Sequence, residues 1–445
     1  MEAMQTFFTN VMRKYMPDPL VLVIGLTFLT AVLAMVFEGT GPRELVTSWG
    51  EGFWSLLEFT MQMALVLVLG YVLAKTGPVD RLLDLIAARV SSPRTAIVIA
   101  TLVGGIASYL NWGFGLVIGG VIAKKLANRV DGVHYPLIIA SAYSAFTLYG
   151  FGLSASIPVI VSTPGHPMED AMGVLPLAET IFSPVMLGLA ALTLVVLMVL
   201  NPLMHPHDPA KVVPIAEEHQ DAPARSVTKA GTDLEIADRL NHSRVLAYAI
   251  GLLGVAYLVL YFADGSQLNI NAVNFTLLFV GILLCGTPAA YVAKLSEGIT
   301  TVAGVVLQYP FYAGIMAIMA ASGLVGSIAS GLASVASAES LPLVNLWASW
   351  VINFFAPSAG GHWVLQGPFA IEAAHSLGSS VPANTMAVML GNAWNDIVQP
   401  LWLIPALALS KLRLKDIMGY LVIAMIVVGV LYSATLLIWG SVAAG

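Results

Sequence analysis

The sequence predicts an all-α polytopic membrane protein made of two inverted repeats, each with a re-entrant hairpin and a broken transmembrane helix. Three observations predict it. Apolar runs of about 20 residues, enough for a helix to cross the hydrocarbon core, recur along the chain. Of its 445 residues, 58% are hydrophobic and 10% charged, where a soluble protein carries roughly 25% charged residues. Two long apolar stretches are interrupted at mid-length by polar, glycine-containing knots, Ser108–Gly113 and Ala356–His362. Broken backbone at that depth survives only under protein cover or beside a wet cavity.

Lysines and arginines order the spans, because positive residues mark cytoplasmic loops. They cluster at Arg13 and Lys14, Lys75 to Arg94, Lys124 to Arg129, Lys211 to Arg244, Lys294, and Lys411 to Lys415; Arg43 alone falls outside. Leu20–Phe37 is expected to run outward as a retained first helix, since no small-residue cleavage site follows it. Glu58–Lys75 returns. Thr95–Ala123 begins and ends on the basic side, so it is expected to form a hairpin with its tip at Asn111-Trp112-Gly113. Tyr135–Thr163 exceeds one span and contains Gly150, Gly152, Ser154, Ser156 and Pro158, which predicts two half-helices with an unwound middle. Ile181–Leu203, Val245–Phe262 and Val273–Val292 are the next crossings.

The second half repeats the order. Val302–Ala320 crosses, and Ser322–Ser340 carries no basic residue. Leu341–His375 forms a second hairpin from the opposite face. Ala383–Ser410 crosses, interrupted at Gly391, Asn392, Asn395, Asp396 and Pro400, and Asp416–Trp439 ends the path. The total is nine crossings and two hairpins. Gln62 and Gln308, Gly77 and Gly323, and Pro136 and Pro382 share an offset of 246, and the opposite direction of the matched spans makes the repeats inverted. The expected organisation is an N-terminal scaffold segment over 1–57, a first repeat over 58–203 with hairpin 95–123, and a polar cytoplasmic loop over 204–244. Connecting scaffold helices follow over 245–300, then a second repeat over 301–445 with hairpin 341–375.

Two hairpin tips and two unwound spans are expected to meet near the midplane, the arrangement of a secondary carrier with alternating access. Half-helix starts suit an anion, and unwound carbonyls with Ser and Asn oxygens suit sodium. No lysine or arginine lies in either hairpin interior or either broken span. Lacking a guanidinium fork, the site is expected to take a small monoanion, held by Asn111, Trp112, Gly113, Ser154, Ser358, Gly360, Gly361 and His362. Ion coupling falls to Asp396, an ionisable group inside a span, with Asn111, Ser358, Asn392 and Asn395. Each has a plainer role beside it. Asn111 and Ser358 are also suited to capping half-helices, the glycines to backbone geometry, His362 to bonding a carbonyl, and Trp112, Trp363 and Trp394 to packing. Proton carriage by Asp396 or His362 and a sodium cage of asparagines both remain open, and a sodium–proton antiporter with no organic substrate is the alternative function.

Other classes drop out. No basic face with interleaved aromatics offers itself to nucleic acid. His205-Pro206-His207-Asp208 is a weak metal signal, Glu217–Asp221 reads as a solvated charge run, and no phosphate-binding loop or metalloprotease helix is present. Ser91 with Asp84 or His134 makes no believable triad, so no enzyme and no cofactor beyond a proton or sodium ion is expected. Cys285, the single cysteine, excludes an intramolecular disulfide.

Several segments carry a resemblance: Met16–Leu20, Trp49-Gly-Glu-Gly-Phe-Trp54, Met61–Leu65, Asn111-Trp-Gly-Phe-Gly-Leu116, Ser162-Thr-Pro-Gly-His-Pro167, Gln308–Gly314 and Gly360–Pro368. Over nearly its whole length the chain resembles the bacterial short-chain fatty acid transporter family, of the ion transporter superfamily. The resemblance implies movement of butyrate-like or acetoacetate-like acids across the bacterial inner membrane by a homodimer with an elevator mechanism. It also places Asn111 and Ser358 at tips that bind ion and substrate. The family pattern implies three glycines after Pro-Ser; here Ala359 replaces the first.

Overall fold

The computed structural model describes residues 19–216, 236–399, 402, 403, 407 and 410–444. Arg13, Lys14, Met16 to Asp18, Glu217 to Asp221, Arg225, Lys229 and Pro400 lie outside them. All described regular structure is helical. Among the described residues, seven helices are long and apolar enough to cross a membrane, or eight if one bent pair counts as a span.

The first helices are α1 (Pro19–Glu38), α2 (Pro42–Gly52), α3 (Leu57–Ala74) and α4 (Gly77–Ala87). Helices α5 (Pro93–Leu110) and α6 (Trp112–Arg129) stand either side of one residue, Asn111, and pack along each other. Next comes the broken stretch: α7 (Tyr135–Ser144), a 3-10 segment (Ala145–Phe151), an unwound turn, and α8 (Ser156–Val161). Helix α9 (Pro184–Leu203) precedes the polar stretch, and α10 (Arg244–Ala263), α11 (Ile270–Cys285) and α12 (Pro288–Gly298) follow it. The last group is α13 (Ala303–Ser322), α14 (Leu324–Val335), α15 (Leu341–Ile352), α16 (Ala359–Leu377), α17 (Val381–Asn395) and α18 (Leu414–Ala444).

Local chemistry sets the starts. Ser92, Ser183 and Ser380 each precede a helix with proline in its first two positions and accept the backbone N–H of its third residue, from Thr95 at 3.2 Å, Met186 at 3.3 Å and Ala383 at 3.3 Å. A hydroxyl cap satisfies an orphan donor, and proline costs nothing where no intrahelical bond is due.

Three expectations need correction. Helix α17 runs unbroken through Gly391 and Asn392, and the break begins only at Asp396, because its carboxamides are satisfied by neighbouring helices and need no local unwinding. The expected crossing Val273–Val292 is two helices, with Gly286 left-handed between them at φ 75°. Val302–Ala320 and the stretch after it form one apolar pair bent by 80° at Gly323, whose φ of 82° only glycine adopts easily.

Helices α5 to α9 and α15 to α18 form the densest packing, with α16 also against α13. Helix α1 and the amphipathic α2 pack on α13, and α10 on α11. This arrangement brings the starts of α6 and α16 toward the 3-10 segment and α17.

Candidate functional site

The start of α6 is closed by protein oxygens. Asn111 Oδ1 accepts the Phe114 N–H at 2.8 Å, and Ser154 Oγ, from the unwound turn, accepts the Trp112 N–H at 2.9 Å. The turn is stitched to the helix pair where the Leu153 N–H donates to the Tyr109 carbonyl at 2.8 Å. A side chain at Gly152 would collide with that same carbonyl, so the close approach depends on glycine.

The start of α16 is held from another helix, where the Gly361 N–H meets the Tyr309 hydroxyl. Ser358 is its N-cap, but the Ser358 hydroxyl accepts no backbone N–H. Its hydroxyl instead pairs with the Tyr309 hydroxyl at 2.8 Å. Tyr309 stacks on Phe59 with ring centroids 5.4 Å apart. Gly360 and Gly361 let this helix start lie directly on the rings of Tyr309, Phe59 and Tyr312, where added methyls would strike them.

Both starts border one small cavity, of about 20 Å³. Ser156, Ser358, Tyr149 and Tyr309 give it hydroxyls; Met63, Phe146, Ala359, Trp112 and Trp402 give it apolar wall. The indole Nε1 atoms of Trp112 and Trp402 are buried with no partner among the described residues. No charged side chain lines it. Such a volume holds about one water. It is a contracted, mostly apolar space whose hydroxyl and indole side chains bring no net charge.

Behind Tyr149 lies a buried polar network. The Tyr149 hydroxyl is 2.6 Å from Asp396 Oδ2 and 2.7 Å from Asn392 Oδ1. Asn353 Nδ2 donates to Asp396 Oδ1 at 2.7 Å and to Asn395 Oδ1 at 3.2 Å, and the Asn392 amide donates to Asn353 Oδ1. The Asn395 amide donates to the Trp350 carbonyl at 2.8 Å. His362 sits between Ser349 Oγ at 3.1 Å and Gln366 Oε1 at 2.6 Å, and its Nδ1 is 3.4 Å from the Asn392 amide. Asp396 is 1% exposed; Asn353, Asn392, Asn395 and His362 are not exposed at all. Polar groups buried so completely must satisfy one another.

Residues 1–439 match the family described as Short chain fatty acid transporter. A protein of Escherichia coli K12, named as a short-chain fatty acid transporter, is 40% identical over 427 residues, covering 96% of this chain and 97% of that one. The chain belongs to the short-chain fatty acid transporter family. A Haemophilus influenzae protein with the same name is 39% identical over 435 residues, 94% of this chain and 96% of its own. A family of multi-pass membrane transporters is not one of enzymes.

The fold is shared more widely than the sequence. The crystal structure of the YdaH transporter of Alcanivorax borkumensis aligns with a TM-score of 0.61 at 17% identity, covering 95% of this chain and 98% of that one. Neisseria gonorrhoeae MtrF, described among antimetabolite efflux pumps, aligns at 0.54 and 13%, covering 97% of each chain.

The sequence-predicted residues divide into four groups. Trp112 and Ser358 reach the cavity. Asn111 and Ser154 are spent as caps of α6 and do not line the cavity. Asn392, Asn395, Asp396 and His362 gather in the network behind Tyr149. Trp363 and Trp394 pack, with Trp394 donating to the Met425 carbonyl at 2.7 Å. His205 bonds to the carbonyls of Gly132 and Pro206, and the described residues hold no metal-ligating cluster. Sequence reasoning missed Tyr149, Tyr309 and Asn353. Tyr309 lies in the Gln308–Gly314 motif, and Asn353 stands three residues before the second knot, so both had a signal beside them. Tyr149 had only its place between Gly150 and the half-helix before it.

Proposed function

We propose that this protein is a secondary carrier of short-chain monocarboxylates, butyrate-like or acetoacetate-like, across the bacterial inner membrane, driven by a proton or sodium gradient in symport. The observation that carries the reading is the cavity shared by the starts of α6 and α16, which is lined by hydroxyl-bearing and indole side chains but no lysine or arginine. Neutral donors around a helix start suit one negative charge, and the apolar wall suits a short alkyl chain. The carboxylate meets Ser358, Tyr309 and the Gly360 amide at the start of α16, with the Gly361 amide holding Tyr309 and Trp112 beside it. Asn111, Gly113 and Ser154 hold the opposite helix start in place. Asp396, with Asn392, Asn395 and His362 around it, is the coupling group.

The helix pairs α5–α6 and α15–α16 are read as re-entrant hairpins of two inverted repeats, 58–203 and 301–445. The recurrence of span, paired helices and a helix started by Pro136 or Pro382 supports this. Helices from 1–57 and 245–300 then form the scaffold of a homodimer, past which the hairpin domains move as an elevator.

The test is butyrate counterflow into proteoliposomes, with sodium and pH gradients varied independently. Saturable counterflow, lost in Asn111→Ala and Ser358→Ala with folding intact, is the expected result. Proton flux driven by sodium with no acid present would replace this reading with an antiporter. Chain length is set at Ala359, which lines the cavity. Ala359→Gly is expected to shift competition for butyrate uptake toward longer acids, and an unchanged ranking of acetate through hexanoate would remove Ala359 from selectivity.

A further inference from the structure

We infer that Asp396 carries a proton in this conformation and is the proton-coupling group, with the Tyr149 hydroxyl as a two-position switch between it and the α15–α16 pair. The coupling half of this rests on the transport reading above; the protonation half rests on hydrogen counting alone.

The count starts at Asn353. Its side-chain nitrogen lies 2.7 Å from Asp396 Oδ1, 3.2 Å from Asn395 Oδ1 and 3.3 Å from the Asn392 carbonyl. Three acceptors surround that atom, so it must be the donor, and Asn353 Oδ1 must face Asn392. Asn392 therefore presents its nitrogen to Asn353 and its Oδ1 to Tyr149. Three oxygens now stand in a row: Asn392 Oδ1, the Tyr149 hydroxyl, and Asp396 Oδ2, with successive separations of 2.7 and 2.6 Å. Both separations are at or below the usual O–H···O distance, whereas a hydrogen shared between acceptors gives longer contacts such as those of Asn353 at 3.2 and 3.3 Å, so each has its own hydrogen. A carboxamide oxygen supplies none and a phenol supplies one. The second can come only from the carboxyl. Asp396 thus donates to Tyr149, and Tyr149 donates to Asn392.

Loss of that proton reverses the middle link. An ionised Asp396 is acceptor-only, so the Tyr149 hydroxyl turns to donate to it and Asn392 Oδ1 loses its donor. Asn392 also holds Asn353, at the end of α15, and approaches His362 on α16. One proton taken up or given off is in this way felt by the helix whose first residue borders Ser358. Tyr149 itself lines the cavity, so substrate and proton state act on the same side chain.

The groups facing Asp396 are few. Tyr149 comes from the 3-10 segment, Tyr143 from α7, with its hydroxyl on the Asp396 main-chain carbonyl at 2.7 Å, Asn353 from the end of α15, and His362 from α16 through Asn392. Tyr432 of α18 stands one step further off, on Thr147. The Asp396 side chain meets no lysine, arginine or second carboxylate among the described residues. The carboxamide oxygens of Asn353, Asn392 and Asn395 each already accept a hydrogen, so donors, not oxygens awaiting a cation, converge on this carboxyl.

Infrared difference spectra of the purified protein in liposomes at neutral pH read the proton directly. A protonated-carboxyl carbonyl band is expected in the wild type, absent from Asp396→Asn and shifted in Tyr149→Phe, which removes its hydrogen-bond partner. No difference between wild type and Asp396→Asn would overturn the assignment, and so would loss of the band on adding sodium. If Asp396→Asn does not survive purification, an unshifted band in Tyr149→Phe overturns it equally. Transport separates coupling from structure: Asp396→Asn is expected to lower net butyrate efflux, corrected for leak in protein-free liposomes, by about tenfold more than exchange. Equal loss of both would overturn the coupling role. Wild-type protein that shows no exchange would sink the transport reading, while the infrared band would still decide the protonation.

Discussion

Replacing Asn353 by leucine is expected to destabilise the protein by about 3 kcal/mol and to abolish butyrate uptake. The substitution keeps the branching of the side chain but removes a donor and an acceptor at the centre of the network. Asp396 Oδ1 and Asn395 Oδ1 lose their donor, and the Asn392 amide loses its acceptor. Each buried polar group left unpaired costs roughly 1–3 kcal/mol, and partial rearrangement keeps the total at the low end of the summed range. Thermal melting in detergent measures the first effect and counterflow the second. A variant with wild-type melting would mean that water replaces the lost partners, and the network would then be less tightly closed than its burial indicates.

Gly391→Ala is expected to be nearly as damaging, for a steric reason. The new methyl would collide with the Leu346 main-chain oxygen and lie 2.5 Å from the Ser349 Cβ. Helix α15 must then move off α17, which breaks the bond from Ser349 Oγ to the Val388 carbonyl, now 2.7 Å. Overpacking of this kind costs ~1–3 kcal/mol. It also separates Asn353 from Asp396, so uptake should fall by about tenfold or more, the factor that ~1.4 kcal/mol gives. Uptake within twofold of wild type would show that the two helices have slack. The Asn353→Leu and Gly391→Ala effects should not add, because both act on one set of contacts.

The breaks in this chain were legible because their penalty is local. Asn111, Gly152 and Ser358 interrupt apolar runs, and unpaired backbone in hydrocarbon is expensive wherever it occurs. The extent of the second broken span was not legible: Asn392 looks like a helix breaker in sequence, yet Asn353 and Tyr149 satisfy it from other helices and α17 continues past it. Asp396 stood out as an ionisable residue inside a span. Its partner Tyr149 did not, since an aromatic residue in an apolar run reads as packing until the opposing helix is known. The same holds for Ser154, whose value as a cap for a helix some forty residues earlier in the chain depends wholly on tertiary approach.

The cavity is large enough for about one water, and this has a kinetic consequence. A four-carbon acid does not diffuse into such a space through an open mouth; walls made of Trp112, Tyr309 and Phe146 must first part. The ceiling on turnover is then the frequency of that parting, not the rate of encounter. At saturating substrate, activity should follow the stiffness and temperature of the surrounding lipid more closely than the chemical identity of the acid carried.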